Sequence, residues 1–184
     1  MLVLFFGVQA TAAADQDPTP LRLYAESGFQ MQSGGASPLG QITGRYRFAE
    51  HWYVDVIGKS GAVLTDLSAD DQLYLGLGVG PGLSTGEDLD GWELRVSPRF
   101  THIHHATFGS WGDTPFANLA GDSNGGVSHR SGAELAVGVN GPQLGQLGDL
   151  RFLWSADAIA NYLPSSEPMR FGLGAVLGLS VRGW

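Results

Sequence analysis

The pair His129 and Ser131 has the residue types and the spacing that could catalyse a reaction. The two residues stand on either side of Arg130 in the stretch His-Arg-Ser. In an extended strand, residues two positions apart point to the same face, so the imidazole would lie close enough to the hydroxyl to activate it as a nucleophile. This spacing would suit a hydrolase, with Ser131 as the nucleophile and His129 as its base.

Three further histidines, His102, His104 and His105, stand close together near the end of an earlier extended run. Imidazole nitrogens are common ligands of Zn²⁺ and related ions, so these three residues are the candidates if the protein binds a metal. We expect an unliganded polar segment here, with no metal and no cofactor.

Most of the chain after residue 20 alternates apolar and polar residues with a period of two, which is typical of β-strands. Eight such runs follow one another, separated by glycine-rich or polar breaks. The runs are Leu21–Met31, Leu39–Phe48, Trp52–Val63, Gln72–Leu83, Trp92–Phe108, Arg130–Val139, Arg151–Tyr162 and Met169–Val181. We therefore predict an all-β fold, an eight-stranded antiparallel up-and-down barrel.

Charged side chains keep to one face of each predicted strand, which in a transmembrane barrel would be the inner face. Buried charges must be paired or hydrated, so we predict a lumen held by ion pairs. An anion-selective pore is the alternative, but eight strands leave little room for a channel. The predicted lumen residues are Arg22, Glu26, Arg45, Arg47, Asp55, Lys59, Glu93, Arg95, Arg99, Glu134, Arg151, Asp157, Arg170 and Arg182.

The last run raises the question of which face meets water. Leu177 and Leu179 lie on one face, and Arg170 lies on the other with several glycines. A soluble barrel that binds a small apolar ligand would turn the charged face outward. The rows of glycine on the charged face and the single lysine of the chain favour the reverse, a transmembrane barrel with an apolar outer face. Arginine in place of Leu177 would then block insertion, and threonine in place of Val176 would be nearly silent.

Composition and the first residues indicate where the protein works. The net charge of −8 excludes a nucleic-acid partner, and the lack of cysteine excludes disulfides and thiolate chemistry. The apolar run Leu2–Val8, followed by small residues up to Ala14, is typical of a signal peptide. We divide the chain into a signal peptide at 1–14, a short segment at 15–20 and a barrel domain at 21–184.

With its export signal, eight amphipathic strands, polar lumen and terminal Trp184, the sequence resembles the small eight-stranded outer-membrane barrels of Gram-negative bacteria, such as the transmembrane domain of outer membrane protein A. The resemblance implies localisation in the outer membrane, contact with membrane lipid and lipopolysaccharide, and insertion by the barrel insertion machinery. It also implies that the longest connection, 109–128, lies outside the cell and that 141–149 is a long periplasmic turn.

These expectations lead to a non-enzymatic protein of the cell envelope. We expect a structural, adhesive or ligand-binding role through the extracellular loops, chiefly 109–128, with an extracellular partner that the sequence does not identify. The alternative is a membrane-embedded lipid hydrolase, because His129 and Ser131 resemble the H-x-S element of lipid A deacylases and outer-membrane phospholipase A. A soluble barrel that binds an apolar ligand is the third possibility.

Overall fold

In the computed structural model, eight antiparallel strands form a closed barrel in which each strand pairs with its sequence neighbours. The structure describes residues 20–32, 35–64, 72–86, 91–113, 127–164 and 170–182. The strands are β1 (Leu21–Gln32), β2 (Gly35–Arg47), β3 (Trp52–Val63), β4 (Gln72–Ser84), β5 (Glu93–Thr107), β6 (Ser128–Leu147), β7 (Leu150–Tyr162) and β8 (Phe171–Arg182). The predicted fold class is confirmed.

Pairing between the first and last strands closes the barrel. β1 pairs with β8 from Arg22↔Arg182 to Gln32↔Gly172, so the sheet has no free first or last strand. Closure matters because unpaired backbone groups cannot be satisfied in hydrocarbon. We call the end with the Gly148–Asp149 turn the turn end, and the end with the connection 109–128 the loop end.

Large apolar side chains cover the outside of the barrel, where a water-soluble protein would place polar residues. Leu177 is 67% exposed and Phe29 is 69% exposed. The same surface carries Leu23, Ile42, Val56, Leu77, Val96, Phe100, Leu135, Leu173 and Leu179, all exposed. So extensive an apolar surface is suited to lipid. The prediction of a transmembrane barrel with an apolar outer face is confirmed, and the soluble barrel is wrong.

The predicted long turn at 141–149 is also wrong. β6 continues to Leu147, and only Gly148 and Asp149 join it to β7. Gly148 has a φ of 58°, in the left-handed region that glycine adopts at little cost. Register shifts on either side of Gln143 accommodate the extra residues of β6 as β-bulges.

The connection 109–128 begins with a short helix, α1 (Phe108–Asp113), that the sequence analysis placed at the end of a strand and in a loop. The backbone N–H of Ser110 donates a hydrogen bond of 3.3 Å to the Thr107 hydroxyl, an N-cap contact that anchors the helix to the end of β5. Residues 114–126, like the predicted signal peptide, lie outside the described residues. In the described part of the chain, no helix is long and apolar enough to cross a bilayer.

Glycines of β4 face the lumen and make room for large side chains from the neighbouring strands. A Cβ atom on Gly82 would lie 2.1 Å from the ring of Tyr53, and one on Gly78 would lie 3.1 Å from Ile57. Both neighbours are fully buried. The predicted mixture of small and large residues in a narrow lumen is therefore present.

Towards the loop end, the lumen holds an apolar cluster that the sequence analysis did not predict. Its members are Leu39, Val63, Tyr74, Ile103, Ile159, Leu163 and Val176. Val176 shares the inward face of β8 with the lumen glycines, as predicted. It packs in the apolar cluster, and its cross-strand partner on β7 is Asp157. Threonine there would bury a hydroxyl group, so we expect it to destabilise the barrel rather than to be silent.

Candidate functional site

The carboxylate of Asp55 lies at the centre of a buried charge network in the lumen. Nε and Nη2 of Arg45 donate hydrogen bonds to it at 2.8 and 2.9 Å, and Nη2 of Arg99 donates another at 2.7 Å. The Ser97 hydroxyl donates a fourth at 2.9 Å. The register between β2 and β3 sets Arg45 directly opposite Asp55. Two guanidinium groups therefore compensate one fully buried carboxylate.

Further ion pairs extend this network along the lumen and join strands that do not pair directly. Among the described residues, the ion pairs of the lumen are Arg22–Glu93, Arg45–Asp55, Arg47–Glu93, Lys59–Glu134, Arg95–Glu26, Arg95–Asp157, Arg99–Asp55 and Arg99–Glu134. Removing one partner of a buried pair typically costs about 3–5 kcal/mol, because the other charge stays buried without compensation. The stability of the barrel therefore depends on keeping the charges of the lumen paired.

Three predicted lumen residues lie outside this buried network. Arg151 and Arg170 are exposed, and Arg182 is half-buried. Arg151 and Arg182 are cross-strand partners next to the turn end, where the barrel opens to water. The other eleven predicted lumen residues take part in the ion pairs given above.

Two buried tyrosines belong to the network, although the sequence analysis did not include them. The guanidinium of Arg45 lies 3.8 Å from the ring centroid of Tyr53 and 4.7 Å from that of Tyr24. The Tyr24 hydroxyl also accepts a hydrogen bond of 2.8 Å from Nη1 of Arg45. Both tyrosines share the alternation of the charged residues on their strands, Arg22 with Tyr24 and Tyr53 with Asp55, which is the signal that could have identified them.

The second candidate site is a group of four polar residues on the outer face of β5 and β6, near the loop end. His102 lies opposite Ser131, and His104 lies opposite His129. Nδ1 of His102 is 2.8 Å from Oγ of Ser131, and Nε2 of His102 is 3.0 Å from Nε2 of His104. The rings of His104 and His129 have centroids 4.4 Å apart. We call these four residues the outer histidine group.

The structure places His129 and Ser131 on one outer face, but the hydrogen-bond partner of Ser131 is a different histidine, His102. The sequence could not show this contact, because it depends on the register between β5 and β6. His105 does not join the group. It is buried on the inner side of β5, and its Nδ1 lies 2.9 Å from Oε1 of Gln72.

An open groove of about 880 Å³ runs along the outer face beside His102 and His104. Small and aliphatic residues make up most of its outward-facing lining. The outward-facing residues that line it are Ala25, Ser27, Gly40, Ile42, Gly58, Ser60, Leu75, Leu77, Leu177 and Leu179, together with the two histidines. A groove with this lining on a lipid-facing surface has the chemistry to hold an acyl chain.

Comparisons with known proteins give structural neighbours only. No family model and no curated protein matches the chain. The structure is similar to that of Neisserial surface protein A, with 13% identity, a TM-score of 0.58 and coverage of 89% of this chain and 94% of the other. It also matches the N-terminal β-barrel domain of Pseudomonas aeruginosa OprF, with 13% identity, 88% and 96% coverage and a TM-score of 0.49.

A third match is Ail, the attachment invasion locus protein of Yersinia pestis, solved in complex with the heparin analogue sucrose octasulfate. Its identity is 16%, its coverage 89% of this chain and 96% of the other, and its TM-score 0.43. At 13% identity, the likeness to Neisserial surface protein A bears on the fold alone. The chain has the fold of the small outer-membrane β-barrels, and the bacterial outer membrane is the location that this fold and the apolar outer face support.

Proposed function

We propose that this outer-membrane barrel is a closed support for its loops, with a structural, adhesive or ligand-binding role in the cell envelope rather than a role as a pore. The filled lumen supports this proposal. Buried basic groups neutralise Asp55, Glu93 and Glu134, and the apolar cluster fills a further part of the lumen. A barrel packed in this way offers partners its ends and its outer face.

The connection 109–128 is the part of the loop end best suited to bind a partner. It is the longest connection of the chain, and it combines the aromatic residues Trp111 and Phe116 with the acidic residues Asp113 and Asp122. Aromatic residues are enriched in binding interfaces. Its first turn is anchored to the end of β5 by the cap at Thr107.

Replacing residues 114–126 with a glycine–serine linker of equal length tests this role. We expect the variant to insert and to keep the detergent resistance of the envelope, because the barrel is unchanged. We expect adherence of the expressing cells to protein-coated surfaces to fall to the level of cells without the protein. The matched control replaces 165–169, another loop-end connection, in the same way. Equal adherence of both variants and the wild type would contradict a role for 109–128.

A second candidate function, a lipid esterase, is favoured by the hydrogen bond between His102 and Ser131 beside the acyl-sized groove. Nδ1 of His102 would take the proton of the Ser131 hydroxyl as Oγ attacks an ester carbonyl. The bond to the leaving alcohol would then break, and that alcohol would take the proton from His102. Water, activated in turn by the same imidazole, would release the fatty acid and restore the serine. His104 lies 3.0 Å from the far nitrogen of His102, where it can orient the base.

A further inference from the structure

We propose that His102, His104 and His129 form a binding site for one late first-row divalent metal ion, of which Zn²⁺ is the reference. All three residues project from the outer face of two paired strands. The β5–β6 register sets His104 directly opposite His129, and His102 lies two residues along β5 on the same side. The regular geometry of a two-stranded ladder therefore brings three imidazoles together.

The distances are close to those that a metal ion needs. One potential ligand nitrogen from each histidine lies within 4.8 Å of the other two. Zn–N bonds are about 2.0–2.1 Å long, so nitrogen ligands at tetrahedral angles lie about 3.3 Å apart. Nε2 of His102 and Nε2 of His104 are 3.0 Å apart, near that separation. The side chain of His129 is exposed, so a change of its rotamer is the adjustment that metal binding would require.

Ser131 supports the site through a hydrogen bond with one of the proposed metal ligands, His102. When Nδ1–H of His102 donates to Oγ of Ser131, at 2.8 Å, Nε2 of the same ring carries the lone pair and faces His104. Histidine ligands in metal sites usually make such a hydrogen bond with their other nitrogen, which fixes the tautomer and the orientation of the ring. The bond that favours an esterase is therefore also the bond that a metal ligand would need.

The nature and position of the ligands select the metal. Three neutral imidazoles suit Zn²⁺, Cu²⁺ and Ni²⁺, whereas Ca²⁺ and Mg²⁺ prefer oxygen ligands. The group lies near the loop end. There β5 and β6 remain paired as far as His105↔Ser128, whereas the pairing between β6 and β7 ends earlier, at Ala133↔Tyr162. Three protein ligands leave the fourth position of a bound ion for water or an external ligand.

Metal binding and the esterase reaction exclude each other. A metal-bound His102 that donates its Nδ1 proton to Ser131 cannot take the proton of that hydroxyl as well. The metal site therefore stands as a separate property of the outer histidine group, and its affinity can be measured without any lipid substrate.

Calorimetric titration of the full chain, refolded in detergent micelles without a polyhistidine tag, tests the proposal with ZnCl2 as the probe. We expect one ion per chain. Single changes of His102, His104 or His129 to alanine should each raise Kd at least tenfold. Ser131→Ala should raise it by a factor on the order of ten, the effect typical of lost outer contacts to a metal ligand. Heat-dependent gel mobility shows for each variant that the barrel is folded.

Two other histidines provide the matched controls. His51 is an exposed histidine beside Glu50 at the turn end, and His105 lies on the same strand as the site but faces the lumen. Neither His51→Ala nor His105→Gln should change the affinity. Absorption bands of four-coordinate Co²⁺ in the wild type, lost in His129→Ala, would support the site independently. The proposal is wrong if the stoichiometry differs from one, or if the His51 variant loses as much affinity as the others.

Discussion

At the scale of single residues, the choice of base for Ser131 separates two versions of the esterase hypothesis. If the contact at 2.8 Å is catalytic, His102→Gln and Ser131→Ala should both abolish the removal of acyl chains from outer-membrane lipids. His129→Gln should retain it, because His129 would not take the proton. Mass spectrometry of lipids from expressing cells measures the outcome. Ser60→Ala, an exposed change in the same groove, is the control.

The opposite result, loss with His129→Gln and activity with His102→Gln, would favour the H-x-S pairing that the sequence predicts. Identical lipids from all variants and the wild type would exclude the esterase. The proposed role of a closed barrel that supports its loops would then remain. The sequence predicted the outward direction of Ser131, because alternation fixes the face of every residue in a strand. It could not identify His102 as the partner, since that contact requires the cross-strand register.

At the scale of the strands, close contacts between neighbouring strands leave no room for a side chain at some lumen glycines. A Cβ atom on Gly80 would lie 2.0 Å from the carbonyl oxygen of Pro98 and 2.7 Å from Cα of Arg99. Both atoms belong to the backbone of β5, so rotation of a side chain cannot relieve the overlap. We expect Gly80→Ala to lower the free energy of unfolding by about 1–3 kcal/mol, the usual cost of overpacking. Unfolding by guanidinium in lipid vesicles measures it.

Gly58→Ala on β3 is the matched control, because a Cβ atom there would have nothing within 4 Å. Its stability should stay within about 0.5 kcal/mol of the wild type, as for surface substitutions away from special contacts. Equal losses of stability in both variants would mean that replacing glycine with alanine destabilises these strands in general. The contact between Gly80 and β5 would then not be the cause.

The faces of the strands were easier to predict than their ends. Period-two alternation identified all eight strands, and the ends differ mainly in β2 and β6. In β6, Pro142 and the glycines of 141–149 indicated a turn, yet bulges beside Gln143 keep the segment paired with β7. A bulge changes the phase of the alternation locally, so a pattern based on strict alternation stops where the bulge begins.

At the scale of the whole molecule, the ion-paired lumen followed from the sequence, whereas the apolar cluster beside it did not. Charges mark the inner face of the strands. Nine of the ten basic residues lie in a strand and share this alternation, and Arg170 lies just before the start of β8. Val63, Ile103 and Val176 share the alternation of the inward charges on their strands, so their faces could be predicted. Alternation does not show which inward side chains of different strands pack against one another. The division of the lumen into a charged part and an apolar part depends on packing between several strands.

If the barrel spans a bilayer, the effect of an arginine on its outer face should depend on the depth of that residue in the membrane. Leu177, in the middle of β8, is 67% exposed, and Leu147, next to the Gly148–Asp149 turn, is 70% exposed. On a barrel in water, arginine would be tolerated at both. In a bilayer, it should cost about 2–4 kcal/mol near the midplane and about 0–1 kcal/mol at the interface. We therefore expect Leu177→Arg to fold into vesicles poorly and Leu147→Arg to fold like the wild type, as measured by the heat-dependent shift in gel mobility. Equal folding of the two variants would mean that the apolar face does not lie in the membrane as the structure implies.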